Sequence, residues 1–350
     1  MLASIAHRTP PQSYGPWEQV AATLAEGLVA RGHEVTLFAT ADSVTAGRLS
    51  AVAPAGYEEG GLYDTKVYEG LHIANAFEQA GRLDVLSNQF DFLPLTYSRL
   101  VSTPLVTTVH GFSSDRILAA YQAYDDVVSY VSISDADRSP LLTYAATIHH
   151  GLDLSRFTFR PEHGTYLLFL GRIHPHKGTH LAIEVARRVG LPLVIAGIVQ
   201  DDDYFRERVE PQLGSQVTYA GAVGPAERDE LLGGALALLH LISFAEPFGL
   251  SVVEALAAGT PVIAFPLGSL PELVDDGRTG FLVEDAAGAV AAVARVPELR
   301  RADCRAEVEL RFTAERMVAD YEALFSAVVM RASRAGRSTK ANRTDESLTP

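Results

Sequence analysis

Short apolar segments alternate with helical stretches along most of the chain, and this alternation restricts the fold more than any other feature of the sequence. A strand, a helix and a further strand form the repeating unit of parallel sheets. The segments that we interpret as buried strands cover residues 34–40, 83–87, 104–109, 127–133, 146–148, 166–170, 191–197, 217–222, 237–244 and 261–265. The pattern therefore predicts an α/β fold with parallel sheets of the Rossmann type.

The polar segment 155–164, which contains Pro161, is the best linker candidate, and 350 residues are enough for two domains. A strongly helical segment, 306–329, follows the second series of strands. The remaining residues are rich in Ser, Thr, Arg and Lys, a composition typical of disorder. We expect an N-terminal Rossmann-like domain at 1–155, a second one at 156–310, a helix crossing back at 311–330 and a disordered tail at 331–350.

Composition limits the classes of partner. The formal net charge of -14 argues against a dedicated nucleic-acid binder, which usually presents a basic face. The single cysteine, Cys304, excludes an intramolecular disulfide and fits a reducing compartment. No apolar run approaches the roughly 20 residues that span a bilayer, and the first residues do not resemble a secretory signal. We therefore expect a cytoplasmic protein, and nothing in the sequence supports membrane association.

The segment from Glu246 to Glu254 places two carboxylates around a Phe-Gly-Leu turn. An apolar strand precedes it and a helical stretch, Leu250 to Ala258, follows. Glu246 is therefore predicted on a strand-to-helix loop and Glu254 inside the helix. Carboxylates accept hydrogen bonds from sugar hydroxyls, and backbone amides at a helix start attract phosphate.

A second loop, Gly171 to Gly178, follows a predicted strand and carries Arg172 and Lys177. A guanidinium and an ammonium at the end of a strand can together hold a diphosphate. Such cations also occur on ordinary surface loops. The pair becomes informative because it lies on the same predicted domain as Glu246.

Two first-domain positions are further candidates. Gly15 permits close backbone approach, and Pro16 is suited to the first position of the helix that follows. A phosphate or sugar could rest there, or Trp17 could simply pack in the core; both interpretations stay open. His110 directly follows the predicted strand 104–109 and would lie at the edge of a cleft.

Metal binding has little support in the sequence. His149, His150, His174 and His176 lack neighbouring thiols and a recognisable ligand spacing. The run Asp201 to Asp203 precedes Tyr204 and is better explained as a helix cap.

From Pro10 to about Glu284, these blocks resemble, in order and spacing, the motifs of the retaining glycosyltransferases of family 4, which have the GT-B fold. The resemblance implies two Rossmann-like domains facing across a cleft. It also implies a metal-independent hexosyltransferase-type enzyme of class EC 2.4, with no cofactor. Such an enzyme moves a sugar from a nucleotide diphosphate sugar, UDP- or GDP-linked, to an acceptor hydroxyl.

The same resemblance assigns the roles of single residues. Glu254 would hold the donor ribose, Glu246 the transferred sugar, and the backbone amides of Phe248, Gly249 and Leu250 the sugar or phosphates. Arg172 and Lys177 would neutralise the departing diphosphate, and His110 would contact the sugar from the facing domain. The family usually has a second glycine after the position of Gly15, and this chain has Pro16 there.

Other functions remain to be weighed against a transferase. A nucleotide-sugar epimerase or a phosphorylase could use the same architecture, and so could a non-catalytic protein that binds sugar nucleotides. The presence of both cations and both carboxylates argues against the non-catalytic alternative. A dinucleotide-dependent dehydrogenase is disfavoured because no Gly-x-Gly-x-x-Gly follows a predicted strand.

Overall fold

The computed structural model describes residues 1–12, 14–112 and 114–345. Within that part of the chain the strands are short, and every pair of neighbouring strands is parallel. They are β1 (Thr36–Phe38), β2 (Arg48–Ser50), β3 (Leu86–Asn88), β4 (Leu105–Val109), β5 (Val128–Ser132), β6 (Tyr144–Thr147), β7 (Tyr166–Leu170), β8 (Leu193–Ala196), β9 (Val217–Gly221), β10 (Ala235–His240), β11 (Val262–Ala264) and β12 (Gly280–Leu282).

Helices connect most of these strands, as parallel pairing requires. They are α1 (Pro16–Ala30), α2 (Thr65–Glu78), α3 (Leu118–Ala123), α4 (Thr179–Val189), α5 (Asp202–Tyr204), α6 (Pro225–Gly234), α7 (Leu250–Ala257), α8 (Leu270–Leu273), α9 (Ala286–Arg295), α10 (Arg301–Arg311) and α11 (Ala314–Asp345). The prediction of an α/β fold with two Rossmann-like units is confirmed.

The first sheet reverses its strand order at the N-terminus of the chain. Leu2 forms parallel bridges to Phe38 of β1 and to Asn88 of β3, so residues 1–3 join β1–β2 to the sheet of order β3-β4-β5-β6. Chain order runs outward in both directions from this central segment. Such a reversal opens a crevice beyond the carboxyl ends of the strands, where ligands bind in open α/β sheets.

The second sheet has the order β12-β11-β10-β7-β8-β9 and reverses between β7 and β10. Alternate residues of β7 face opposite layers, because successive side chains of a strand point to opposite faces. Leu167 and Phe169 pack with Ile183 of α4, whereas Leu168 packs with Val253 of α7. The predicted boundary at 155/156 falls between β6 and β7, and it stays a prediction.

The C-terminal helical segment differs from the sequence prediction. A single helix was expected over 306–329, but the structure has α10 and α11 with a break at Phe312 and Thr313. The break arises because Leu152 binds the backbone on both sides: its amide donates to the Phe312 carbonyl, and its carbonyl accepts from the Ala314 amide.

After this break, α11 packs on the first unit. Met317, Tyr321 and Phe325 share one buried cluster with Leu24 of α1. The helix continues to Asp345 rather than ending at 330, and residues 331–345 contain no proline that would stop it. Part of the tail predicted to be disordered is therefore helical, and residues 346–350 lie outside the described residues.

Candidate active site between the two sheets

The carboxylate of Glu246 lies at the reversal point of the second sheet. Lys177 donates to its Oε2 over 2.6 Å and His240 over 3.2 Å. Burial alone would raise the pKa of Glu246, but the His240 hydrogen bond and the Lys177 charge outweigh burial and lower that pKa to about 2. Glu246 is therefore a buried anion that can only accept hydrogen bonds.

The β7 loop reaches Glu246 because a glycine allows it to press against the strand beside it. Lys177 closes a short 3-10 turn, and Gly178 follows with φ 74°. A Cβ at Gly178 would lie only 1.9 Å from the Leu241 carbonyl oxygen, so no other residue fits without moving the backbone. Arg172 begins the same loop and donates to Gln200 over 2.8 Å.

Glu254 occupies α7, and sequence reasoning missed its partner. Arg228 of α6 donates to Glu254 Oε1 over 2.8 Å, and only 9% of Glu254 is exposed. Loss of one partner of a buried ion pair leaves the other charge without compensation, which is destabilising, so Arg228 helps to keep Glu254 in place. The segment around Arg228 contains several acidic residues, and nothing in its spacing distinguishes this arginine.

The turn before α7 carries Phe248, Gly249 and Leu250. The Phe248 side chain is buried against His150, with ring centroids 4.9 Å apart. Gly249 caps the helix with φ 93°, a conformation that favours glycine. Leu250 packs partly against the cluster that contains Leu24 of the first unit. A contact between the amides of this turn and a ligand stays a prediction.

His110 emerges from β4 in the facing unit. Its Nε2 donates to Gln89 Oε1 over 2.9 Å, so Nδ1 is the unprotonated nitrogen in a neutral ring. Burial lowers the pKa of His110 to about 3. The ring lies between Trp17, at a centroid distance of 5.4 Å, and His150, at 5.2 Å. The half-buried Trp17 side chain therefore stacks on one face of the His110 ring.

Gly15 caps α1 with φ 147° and is tightly enclosed. A Cβ there would lie 2.8 Å from Pro11 Cβ and 3.0 Å from a carboxylate oxygen of Glu18. Glu18 is almost fully buried, and burial raises its pKa. A phosphate at this helix start would meet that carboxyl group. Donor binding by Gly15 stays a prediction.

Tyr14 is a further residue that the sequence reasoning did not select. Burial raises its pKa, and the charges of Arg172 and Glu246 both act on it. Tyr14 therefore lies close enough to Arg172 and Glu246 of the second unit for their charges to affect its pKa. A tyrosine beside Gly15 carries no sequence signal that would have identified this position.

The remaining polar motifs have structural partners. Asp201 accepts from the Tyr204 amide over 2.9 Å, which confirms the interpretation as a helix cap. His149 contacts Glu272 of α8 over 3.1 Å. No three His, Cys, Asp or Glu side chains gather as a metal site within the part of the chain that the structure describes. Over the same residues, no helix combines the length and apolar character needed to cross a membrane.

Solved structures with similar folds include glycosyltransferases. AviGT4, a glycosyltransferase involved in avilamycin A biosynthesis, superposes with a TM-score of 0.70 at 24% identity and covers 92% of this chain and 93% of its own. Anabaena HepE in complex with UDP and glucose gives a TM-score of 0.72 at 18% identity, with 89% and 96% covered. The chain thus has the GT-B fold.

Sequence comparisons identify the family. Residues 17–156 match the model for Glycosyltransferase Family 4, and residues 153–306 match the model for Glycosyl transferases group 1. A glycogen synthase of Mycobacterium tuberculosis is 31% identical over 249 residues, 65% of this chain and 56% of the relative. A D-inositol 3-phosphate glycosyltransferase of Mycolicibacterium smegmatis is 33% identical over 174 residues, 44% and 38% of the two chains.

This chain belongs to glycosyltransferase family 4, group 1. It spans about half the length of the first of these curated relatives and less of the second.

Proposed function

We propose that this protein transfers a hexosyl group from a nucleotide diphosphate sugar to an acceptor hydroxyl, with retention of the anomeric configuration and without a metal ion. The observation that carries the proposal is the juxtaposition of Lys177 and Glu246 at the reversal point of the second sheet, over 2.6 Å. A cation and a buried carboxylate there can hold a departing phosphate and a sugar hydroxyl side by side.

The second unit would bind most of the donor. Lys177 and Arg172 stabilise the charge that develops on the departing diphosphate. Glu254, kept in place by Arg228, accepts hydrogen bonds from the ribose hydroxyls. Glu246 accepts hydrogen bonds from hydroxyls of the transferred sugar. The amides of Phe248, Gly249 and Leu250 meet the sugar or the phosphates.

The first unit would contact the sugar through His110. Its Nε2 proton is bonded to Gln89, and its Nδ1 is a buried acceptor without a partner among the described residues, so a sugar hydroxyl would reach it only after the surrounding side chains move. The bond between the anomeric carbon and the diphosphate oxygen breaks while the acceptor oxygen forms a bond to that carbon on the same face. The acceptor proton passes to the departing diphosphate, so the reaction needs no protein base.

UDP is the favoured donor nucleotide, with GDP as the second candidate, because the similar HepE structure holds UDP and glucose. We place the reaction in the cytoplasm, in keeping with the single cysteine, Cys304, of the sequence.

A thermal-shift screen with UDP, GDP, ADP and dTDP tests donor binding, because a ligand of the native state raises Tm by mass action. The matching nucleotide sugars are then incubated with candidate acceptors, and NMR of the product reports its anomeric configuration. Retention, with transfer that survives EDTA, is the expected result. An inverted product or loss of transfer in EDTA contradicts the mechanism.

The alternatives give different products in the same assays. An epimerase consumes the nucleotide sugar without an acceptor, and a phosphorylase requires inorganic phosphate. A nucleotide-dependent rise in Tm without turnover under any condition identifies a binding protein.

A further inference from the structure

Pro247, between Glu246 and Phe248, is contacted by the first unit. The hydroxyl of Ser134 donates to the Pro247 carbonyl over 2.7 Å. Ser134 follows β5 and is fully buried. A residue of the first unit therefore binds the backbone of the loop that carries Glu246.

A second contact reaches Pro247 from the end of β4. Gly111 has φ 109°, and a Cβ at this position would lie 2.6 Å from Cγ of Pro247. Real Cβ atoms do not come so close to another atom, so any larger residue would push the proline ring away. Because Gly111 directly follows His110, this packing also determines how far His110 lies from the Glu246 loop.

The Ser134 hydroxyl has a defined orientation. Its oxygen accepts from the Asp137 amide over 3.1 Å, so its proton is directed to Pro247. The Glu246 loop is also bound on its own side, where the Ser269 amide donates to the Glu246 carbonyl over 2.9 Å. The proline ring restricts rotation between these two attachments. The backbone that carries the Glu246 carboxylate is thus held by both units.

We infer that Ser134 is a positioning residue for sugar transfer, and that it acts through Pro247 by fixing the Glu246 loop against the transferred sugar. This inference rests on the proposed function. Arg172 and Glu254, which would bind the nucleotide, are held by Gln200 and Arg228 of the second unit, whereas Lys177 pairs with Glu246 itself. Loss of the Ser134 hydroxyl should therefore affect transfer more than it affects nucleotide binding.

The test compares Ser134→Ala with Ser98→Ala in the full-length protein. Ser98 is an equally suitable buried serine, and its hydroxyl has no hydrogen-bond partner among the described residues. Three quantities are measured for each variant: Kd for the nucleoside diphosphate, kcat for transfer, and hydrogen–deuterium exchange of peptides covering residues 245–253. Since Ser134→Ala removes the bond to Pro247 together with the one from the Asp137 amide, we expect it to lower kcat about tenfold, with Kd changed less than about twofold and faster exchange in these peptides.

Ser98→Ala should match the wild type in all three measurements, and Ser134→Thr, which keeps the hydroxyl, should recover transfer relative to Ser134→Ala. If Ser134→Ala does not fold, Ser134→Cys, whose thiol is of similar size but donates only weakly, provides the second variant. Exchange and kcat equal to those of Ser98→Ala overturn the inference. A wild type that binds no nucleotide, with faster exchange in Ser134→Ala, overturns the proposed function and leaves the Pro247 contact established.

Discussion

The two sides of the cleft differ in how they present polar groups. The second unit presents charges in pairs, Lys177 with Glu246 and Arg228 with Glu254. The first unit presents a neutral stack in which His110 lies between Trp17 and His150. A paired charge can exchange its partner for a charged ligand, whereas a buried neutral imidazole discriminates by shape and single hydrogen bonds. On the proposed function, nucleotide affinity would belong to the second unit, and His110 of the first unit would share the orientation of the sugar with Glu246.

Removing the ammonium of Lys177 should have the largest effect on the charged side. We expect Lys177→Ala to lower kcat about 10³-fold, because one group that stabilises transition-state charge is worth roughly that much. Steady-state transfer measures the effect, and thermal melting checks the fold. Lys66→Ala, at an exposed lysine of α2, is the matched control. Wild-type activity in purified, folded Lys177→Ala would refute the site assignment.

The pair of Glu254 and Arg228 should rank next. Glu254→Gln keeps the shape but removes the charge that binds Arg228, so donor affinity and transfer should both fall, about 10²-fold in kcat/KM for a charge-assisted contact. Calorimetry of nucleotide binding separates the two parameters. Glu184→Gln, on the exposed face of α4, should leave them unchanged. Unaltered nucleotide affinity in Glu254→Gln contradicts the ribose contact.

Acidification should lower the free energy of unfolding in two separate pH ranges, one set by buried histidines of the first unit and the other by Glu246 of the second. Burial lowers the pKa of His72 to about 4 and that of His110 to about 3. As the pH falls, these histidines are protonated in the unfolded chain, where their pKa is about 6.5, before they are protonated in the folded protein. The free energy of unfolding therefore falls below about pH 6.5, by on the order of 2 kcal/mol per histidine at pH 5. Glu246 has a lowered pKa, and its contribution to stability is lost only between about pH 4.5 and 2.

Urea unfolding at pH 7, 5 and 3 checks this order. His110→Asn should reduce the loss of unfolding free energy between pH 7 and 5, and Glu246→Gln should leave the loss in that interval unchanged. If Glu246→Gln reduces the loss between pH 7 and 5 and His110→Asn does not, the described electrostatics are contradicted.

His110→Asn should also have the smallest effect on catalysis, because a neutral hydrogen bond to the sugar is worth about tenfold. We expect the loss in kcat for the sugar donor, with little change in the Kd of the free nucleotide. His163→Asn, at an exposed residue, controls for the substitution. Weaker binding of the bare nucleotide would contradict the division of roles between the two sides.

Much of the second unit was predictable because the apolar periodicity of its segments agrees with the way those segments pack. The strand Tyr166–Leu170 and the helix Thr179–Val189 have the bounds that their apolar periodicity indicates. The apolar run 237–244 extends past the end of β10 at His240, because Leu241, beside Gly178, and Ile242 are buried although they follow the last residue of the strand. Burial and strand pairing are separate properties, and composition reports only burial.

Partners that lie far apart in sequence were not predictable. Arg228, Tyr14 and Ser134 acquire their roles from residues on other elements, and no local pattern distinguishes them. The break at Phe312 and Thr313 has the same origin, since Leu152 binds the chain there. A periodicity continuous across 306–329 could not show that the two halves of the segment pack on different units.

The return of α11 to α1 has a consequence for the order of events during synthesis. Leu24 and its neighbours on α1 leave the ribosome early, but Tyr321 and Phe325, which cover them, leave after the whole second sheet. The first unit can therefore complete its core only after the second has been translated. Until then, its apolar helix face is exposed to chaperones or to the same face of another nascent chain.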